Sequence, residues 1–227
     1  MSEQYVVVGS HDWTDRIFDE VIRSYPGTWT YINNPAVLTL ETLSKIQPRL
    51  VFFLHWSLKV PSDITSAFEC VGFHMTDLPY GRGGTPLQNL ILRGHQNTKL
   101  SAVKLVDEMD AGPIYLKADL SLEGSAEEIY SRAGHTMADM IRRLIEGKCT
   151  PKPQVGTPTI FKRRTSEQSR LSAVSTLNDL YDFVRMLDAP GYPHAFLEHG
   201  AYRFELFDVV KSDKELTARV RIVSKQP

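Results

Sequence analysis

The chain has 227 residues, 42% of them apolar and 23% charged, with 26 Lys plus Arg against 27 Asp plus Glu and a net charge of −1. That is enough apolar material for a sizeable core, and the balanced charge gives no long-range pull towards nucleic acid or an anionic membrane surface. Two cysteines, Cys70 and Cys149, cannot build a disulfide framework, and no Cys/His cluster has metal-ligand spacing. No stretch approaches the ~20 apolar residues of a membrane helix, and the first ten residues lack the pattern of a signal peptide. A cytoplasmic protein with reduced thiols, no metal and no membrane insertion is the expectation.

Residues 5–8, Tyr-Val-Val-Val, closed by Gly9-Ser10, read as a buried strand turning into a loop. Ile17, Phe18, Val21 and Ile22 predict a helix over 15–24. Residues 28–32 are rich in β-formers, and 38–46 read as a second helix. The runs at 49–54 and 68–73 are apolar without alternation, as in strands covered on both faces. Thr85 as N-cap and Pro86 as first helical residue open a helix to about Arg93, where Gly94 stops it. Residues 100–106 and 114–120 read as strands joined through the turn Asp110-Ala111-Gly112-Pro113. Ser125 and Glu128 form a capping-box pattern at the head of a helix over 125–146, ended by Gly147. Residues 148–159 read as a connection. A helix over 177–187 buries Leu180, Tyr181, Val184 and Leu187 on one face, and 202–210 and 216–223 read as strands. Strands alternating with helices imply an α/β fold: a Rossmann-like, mostly parallel sheet with helices on both faces. A small C-terminal α+β appendage follows, giving parts at 1–165 and 166–227.

In such sheets a ligand sits beyond the C-terminal ends of the strands. Three unusual groups lie there: Gly9-Ser10-His11, His55-Trp56-Ser57 and His74-Met75-Thr76. Taken singly each has a plain reading. His74 suits a satisfied core histidine, Asp110 a turn aspartate, Gly81, Gly83 and Gly84 a flexible loop, and His55-Trp56 ordinary packing. The glycines match neither a Walker A loop nor a dinucleotide fingerprint. His11, His95, His135, His194 and His199 read as structural or solvent-facing.

The order of the residues adds more. His74, Thr76, Leu78-Pro79, Gly83, Pro86, then Asp110 and Gly112 resemble the motif of the folate-dependent formyltransferases. That motif is Asn-x-His-x-Ser-Leu-Leu-Pro, a loop with Gly and Pro, and a later Asp-containing turn ending in Gly. Phe-Lys-Arg-Arg-Thr at 161–165 and the segment 188–196 also resemble late parts of the family. The family's Asn, two positions before the histidine, is Gly72 here, and the Asp-containing loop is one residue shorter. The resemblance implies that His74, Asp110 and Thr76 carry the chemistry and that N10-formyltetrahydrofolate is the co-substrate. It places the folate against His55, Trp56, Leu58, Val60, Leu105, Val106, Asp107 and Met109, with Trp56 equally open to the acceptor side. It places the acceptor against Ser10, Trp13, Met75, Asp77, Arg82, Gly83 and Gly84. With Gly72 in place of Asn, His55, Thr76, a backbone N–H or water would supply the missing donor, His55 or backbone being preferred.

Within the family, the wording at 73–84 and 186–196 most resembles the small sugar N-formyltransferases that act on nucleotide-linked 4-amino-4,6-dideoxy sugars for bacterial surface glycans, UDP-linked ones of the pseudaminic-acid type of pathway among them. The expected partner is therefore a nucleotide-linked amino sugar and not a nucleic acid. Members of that branch are often homodimers. Arg82, Lys162, Arg163 and Arg164 are candidates for pyrophosphate contacts, against the alternative of a solvated basic face. Two other readings stay open: a hydrolase releasing formate from the same folate, and a non-catalytic sugar-nucleotide-binding relative.

Overall fold

The computed structural model describes residues 2–147, 149–171 and 175–225. In chain order its elements are β1 (Gln4–Gly9), α1 (Asp12–Glu20), β2 (Thr28–Ile32), α2 (Leu40–Ile46), β3 (Leu50–Leu54), α3 (Ser62–Ala67), β4 (Cys70–His74), β5 (Arg82–Gly83) and α4 (Pro86–Ile91). They continue with β6 (Asn97–Lys104), β7 (Ile114–Ser121), α5 (Ala126–Glu146), β8 (Ile160–Phe161), α6 (Leu177–Arg185), β9 (Ala195–His199), β10 (Tyr202–Lys211) and β11 (Leu216–Ser224). The chain forms two compact units. Unit 1 comprises Met1–Gly83, Thr98–Leu120 and Ser131–Ile160, and unit 2 comprises Gly84–Asn97, Ser121–Tyr130 and Phe161–Pro227. The boundary expected at 165/166 falls inside unit 2. The connection read over 148–159 begins at Lys148, which lies outside the described residues, as do 172–174 and 226–227 of the expected C-terminal part.

Unit 1 is organised by a six-stranded sheet in the order β2-β1-β3-β4-β6-β7. β1 pairs in parallel with β2 and with β3, and β3 with β4; β6 runs antiparallel to β4. β3 and β4 are buried along their whole length, which explains their unbroken apolar runs. Val6, Val8, Ile32, Leu43, Val51, Phe53, Ile64 and Cys70 form one core cluster. Burying a side chain of the size of Phe53 contributes about 2 kcal/mol relative to exposure. The Cys70 thiol lies in this core, and burial pushes its pKa up to about 12. Cys70 and Cys149 are both free thiols.

β1 leads to β2 on one side while β3 lies on its other side, so the strand order reverses between β1 and β3. A crevice opens at such a point. Gly9 closes β1 because a Cβ there would come within 2.5 Å of both Thr14 Oγ1 and Tyr31 Oη. α1 starts at Asp12 rather than at 15. Its N-cap is His11, whose backbone N–H donates to Thr14 Oγ1 (3.2 Å) while the Thr14 hydroxyl donates to His11 O (2.6 Å). A helix opened by a histidine lacks the usual Ser/Asp cap signature, so its start was not legible.

Unit 2 holds an antiparallel sheet in the order β11-β10-β9 with α4 and α6. β9 and α3 were not expected from the sequence: both are short, and Pro193 and Pro61 precede them. Thr85 occupies the N-cap position of α4 at φ 47, but its hydroxyl does not cap the helix. It donates instead to Lys162 O (3.4 Å) and accepts from Arg164 N–H (3.1 Å). The Arg185 guanidinium is buried and donates to Leu122 O (2.6 Å) and Gly124 O (2.8 Å), which anchors the end of α6. The capping box expected at Ser125 and Glu128 is present.

Candidate active site

The site is built on the C-terminal end of β4, within unit 1. Strand alternation places Gly72 and His74 on one face of β4. At Gly72 a Cβ would approach Leu105 Cδ2 to 2.7 Å. The missing side chain is therefore what lets the segment after β6 lie directly on β4. Leu105 starts this crossing, with its N–H donating to Cys70 O (2.9 Å), and Asp110 ends it beside His74. Gly112 makes the approach feasible, because a Cβ there would lie 1.8 Å from Lys104 O.

His74 is 8% exposed. Its Nε2 is 2.8 Å from Gly81 O, and its Nδ1 is 3.5 Å from Asp110 Oδ1. Asp110 sits in the left-handed region at φ 54, which aspartate tolerates better than most residues. Its other carboxylate oxygen accepts from Gly83 N–H at 2.9 Å. The glycine loop and the Asp110 loop thus meet at the two ends of the imidazole.

Gln154 locks this arrangement and was missed by sequence reading. Its Nε2 donates to Asp110 O (2.7 Å) and Gly112 O (2.8 Å), while its Oε1 accepts from Arg82 Nε (3.1 Å) and Nη2 (2.9 Å). Arg82 also donates to Glu108 Oε1 (3.1 Å) and so ties the glycine loop to the Asp110 loop. Gln154 lies in a Pro/Gly-rich connection without periodicity, which carries no sequence signal for such a role.

The remaining candidates fall into distinct settings. Thr76 is fully buried and its hydroxyl donates to Gly81 O (3.4 Å). Met75 is buried in the core, and Asp77 is ion-paired with Lys117. Leu58, Val106 and Met109 are exposed apolar side chains, and Asp107 is exposed. Val60 and Trp56 pack partly buried on the core cluster. The Trp56 Nε1–H is buried without a hydrogen-bond partner. His55 stands at the end of β3 at φ 49. Its ring meets His11 edge-on at 5.0 Å and Trp13 at 5.5 Å, beside exposed Ser10. Gly84 belongs to unit 2, where a Cβ would come within 2.5 Å of Arg163 Cβ. Lys162 and Arg163 are exposed there, whereas Arg164 is half-buried and burial pushes its pKa down. Arg164 lines a cavity of about 670 Å³ in unit 2 together with Arg170, Gln168 and Phe183. Among the described residues no group of His, Cys, Asp and Glu could hold a metal ion, and no helix is long and apolar enough to cross a membrane.

Comparison with known proteins gives a consistent match. The family profile described as "Methionyl-tRNA formyltransferase, C-terminal domain" matches residues 166–223. A solved structure, "Methionyl-tRNA formyltransferase from Clostridium thermocellum", is 40% identical, with a TM-score of 0.92 over 98% of this chain and 99% of that one. A methionyl-tRNA formyltransferase of Bacillus thuringiensis is 27% identical over 157 residues, 65% of this chain and 50% of that protein. The chain thus spans about half the length of the curated relatives it matches. A sugar N-formyltransferase from a Shewanella species shares the fold at 18% identity, with a TM-score of 0.64 over 87% of this chain and 93% of that one.

Proposed function

Because this chain belongs to the formyltransferase family that includes methionyl-tRNA formyltransferase, we propose that it moves a formyl group from N10-formyltetrahydrofolate to the primary amine of a nucleotide-linked amino sugar. The observation that carries the transfer is the His74–Asp110 pair at the end of β4, bounded by Gly81 O and Gly83 N–H. The bound folate would supply an activated carbonyl carbon, and the residues fit such a ligand. Leu58, Val106 and Met109 offer exposed apolar surface, and the buried Trp56 N–H has no partner.

A neutral amine attacking that carbon leaves negative charge on oxygen and positive charge on nitrogen. His74 is the group to meet the first. In this conformation its Nε2 faces Gly81 O, so donation to a formyl oxygen exchanges one carbonyl acceptor for another. Asp110 holds the imidazole from the Nδ1 side, and the proton released by the amine would pass to the departing folate nitrogen as the formyl C–N10 bond breaks. Gly72 brings no side-chain donor, and the space beyond it is filled by Leu105, so oxyanion stabilisation on that face rests on His74 and backbone groups.

The sugar acceptor is supported by the net charge of −1, which offers no general attraction for an RNA backbone, and by the shared fold of the Shewanella enzyme. A second reading, the aminoacyl group of methionyl-tRNA, is favoured by the 40% identity to the C. thermocellum protein. Turnover with N10-formyltetrahydrofolate should be measured against UDP-, dTDP- and GDP-linked 4-amino-4,6-dideoxyhexoses, methionyl-tRNA, and no acceptor. Formylation of one sugar, reduced about 10²–10⁴-fold in His74→Ala and Asp110→Asn, is expected. Formylation of methionyl-tRNA alone selects the second reading, and formate release without acceptor makes the chain a hydrolase.

A further inference from the structure

His74 stands at the head of a loop, residues 75–83, that returns to it: Gly81 O lies 2.8 Å from its Nε2. A carbonyl oxygen only accepts, so Nε2 carries a proton. The position of this loop therefore sets where that donor points. From 76 to 79 every carbonyl of the loop has a donor. Ser101, opposite His74 in β6, donates its hydroxyl to Thr76 O (2.7 Å). Tyr80 N–H closes a turn on Asp77 O (3.0 Å), and Thr159 N–H donates to Pro79 O (3.2 Å). Leu78 O accepts from the Lys117 ammonium at 2.6 Å, and the same ammonium pairs with the Asp77 carboxylate. Lys117 belongs to β7, the last strand of the sheet, and its side chain reaches past β6 to the loop that follows β4.

We infer that Lys117 is a positioning residue for His74, an inference whose effect on turnover rests on the formyl-transfer reading above. An exposed Lys–Asp pair contributes little by itself. The same two strands carry such a pair, Lys99 on β6 with Asp119 on β7. Lys117 differs from Lys99 in two ways. Its side chain is 28% exposed against 41%, and its ammonium also bonds a backbone carbonyl. A charge-assisted bond to a carbonyl fixes where the chain lies, which a pair between two exposed side chains does not. The constraint reaches His74 by a short path. Leu78 is buried, the Asp77–Tyr80 turn is closed by its own hydrogen bond, and Gly81 follows that turn directly. Among the described residues the hydrogen-bond partners of Lys117 are Asp77 and Leu78, so its effect on His74 runs through the loop. Without the ammonium, Leu78 O loses its donor and Asp77 its partner. The turn is then free to shift and to carry Gly81 O away from Nε2. Asp110 would still hold the Nδ1 side, but the Nε2–H would no longer be aimed.

The test reads turnover and the His74 ring in the same variants of the intact chain. Turnover uses N10-formyltetrahydrofolate with whichever of a UDP-linked 4-amino-4,6-dideoxyhexose and methionyl-tRNA wild type formylates. The ring is read by NMR of nitrogen-labelled histidine, its protected Nε2–H signal assigned by its absence in His74→Ala. Lys117→Met should lower kcat about 10- to 100-fold with KM nearly unchanged, the scale of a small misplacement at a reacting group. It should also broaden the Nε2–H signal and speed its exchange with solvent. Lys117→Arg, which keeps a charged donor, should recover most of both, and Lys99→Met should change neither. If Lys117→Met fails to fold, Lys117→Gln is the second variant and should fall between wild type and the loss expected for methionine. A lower melting temperature with normal kcat and a normal His74 signal would make Lys117 a stability residue only. A lower kcat with the His74 signal unchanged would mean that the lysine meets substrate directly. Either result, or a wild-type His74 without a protected Nε2–H, overturns the inference. If wild type formylates neither acceptor, the transfer reading fails, and the His74 signal alone decides whether Lys117 positions the ring.

Discussion

Around His74 polar side chains bond mainly to backbone; on the C-terminal sheet they bond to one another. Asp110 takes Gly83 N–H, Gln154 takes two carbonyls, and His74 faces Gly81 O. On β9–β11, Glu198 is shared by Arg170, Arg203 and Lys225, Glu205 pairs with Arg221, and Asp208 with Arg219. Side chain-to-backbone bonds fix where a loop lies, and each has few substitutes. Exposed ion pairs trade partners and contribute little individually. Damage to the first region should therefore cost position and activity, and damage to the second should cost a modest amount of stability.

The sharpest way to break the comparison is Gly112→Ala. The added carbon would meet the Lys104 carbonyl at 1.8 Å, and backbone cannot step aside as a side chain can. Overpacking of this kind costs about 3 kcal/mol. It should also displace Asp110, so urea unfolding and turnover are expected to fall together. Normal turnover in a destabilised Gly112→Ala would show that the loop tolerates displacement.

Gln154→Ala comes next. It leaves Asp110 O, Gly112 O and Arg82 short of a partner in a partly exposed place, a loss of about 1 kcal/mol. Activity should fall about tenfold or more, because Asp110 loses its anchor and small misplacements are costly. Gln154→Glu keeps an acceptor for Arg82 but aims no donor at the carbonyls, so it should behave like the alanine variant. If it matches wild type, the Arg82 bond alone positions the loop.

A smaller effect is expected from pH in unit 1. Burial lowers the pKa of His11 below its ordinary 6.5, opposed by Asp12 and Asp15, with the His55 and Trp13 rings also close to it. The folded chain thus disfavours the protonated imidazole. This contribution is intact above about 6.5 and is lost as pH falls through the lowered value. Melting temperature should fall between pH 7 and 5, and His11→Asn, which keeps a capping residue, should remove part of that fall.

Much of this was open to sequence reading. The unbroken apolar runs marked β3 and β4, the Ser125–Glu128 pattern marked the head of α5, and the resemblance to the family motif is what brought His74 and Asp110 together. What stayed hidden depends on tertiary contact. Gly72 read as a lost donor, yet it is also the floor on which Leu105 lies. Gln154 acts on backbone atoms some forty residues earlier, which no local pattern records. His55 was assigned by resemblance to the folate side, and only the fold shows its ring against His11 and Trp13. Thr85 has the identity of a cap, but its hydroxyl was claimed by residues 162 and 164.

Glu198→Gln should give the smallest effect and completes the comparison. Arg170 first, then Lys225 and Arg203, hold the Glu198 carboxyl down at about 2, while burial opposes them. A lowered carboxyl pKa stabilises the fold above the ordinary value of 4.5 and loses that contribution as pH drops towards 2. The glutamine variant should melt slightly below wild type at pH 7 and converge with it near pH 2, with turnover unchanged. The three cations are solvent-accessible and Arg170 keeps Glu167, so 0.5 M salt should shrink the difference at pH 7. A large loss of activity in Glu198→Gln would mean that the exposed charges of the C-terminal sheet serve the acceptor after all, and the contrast between the two regions would fall.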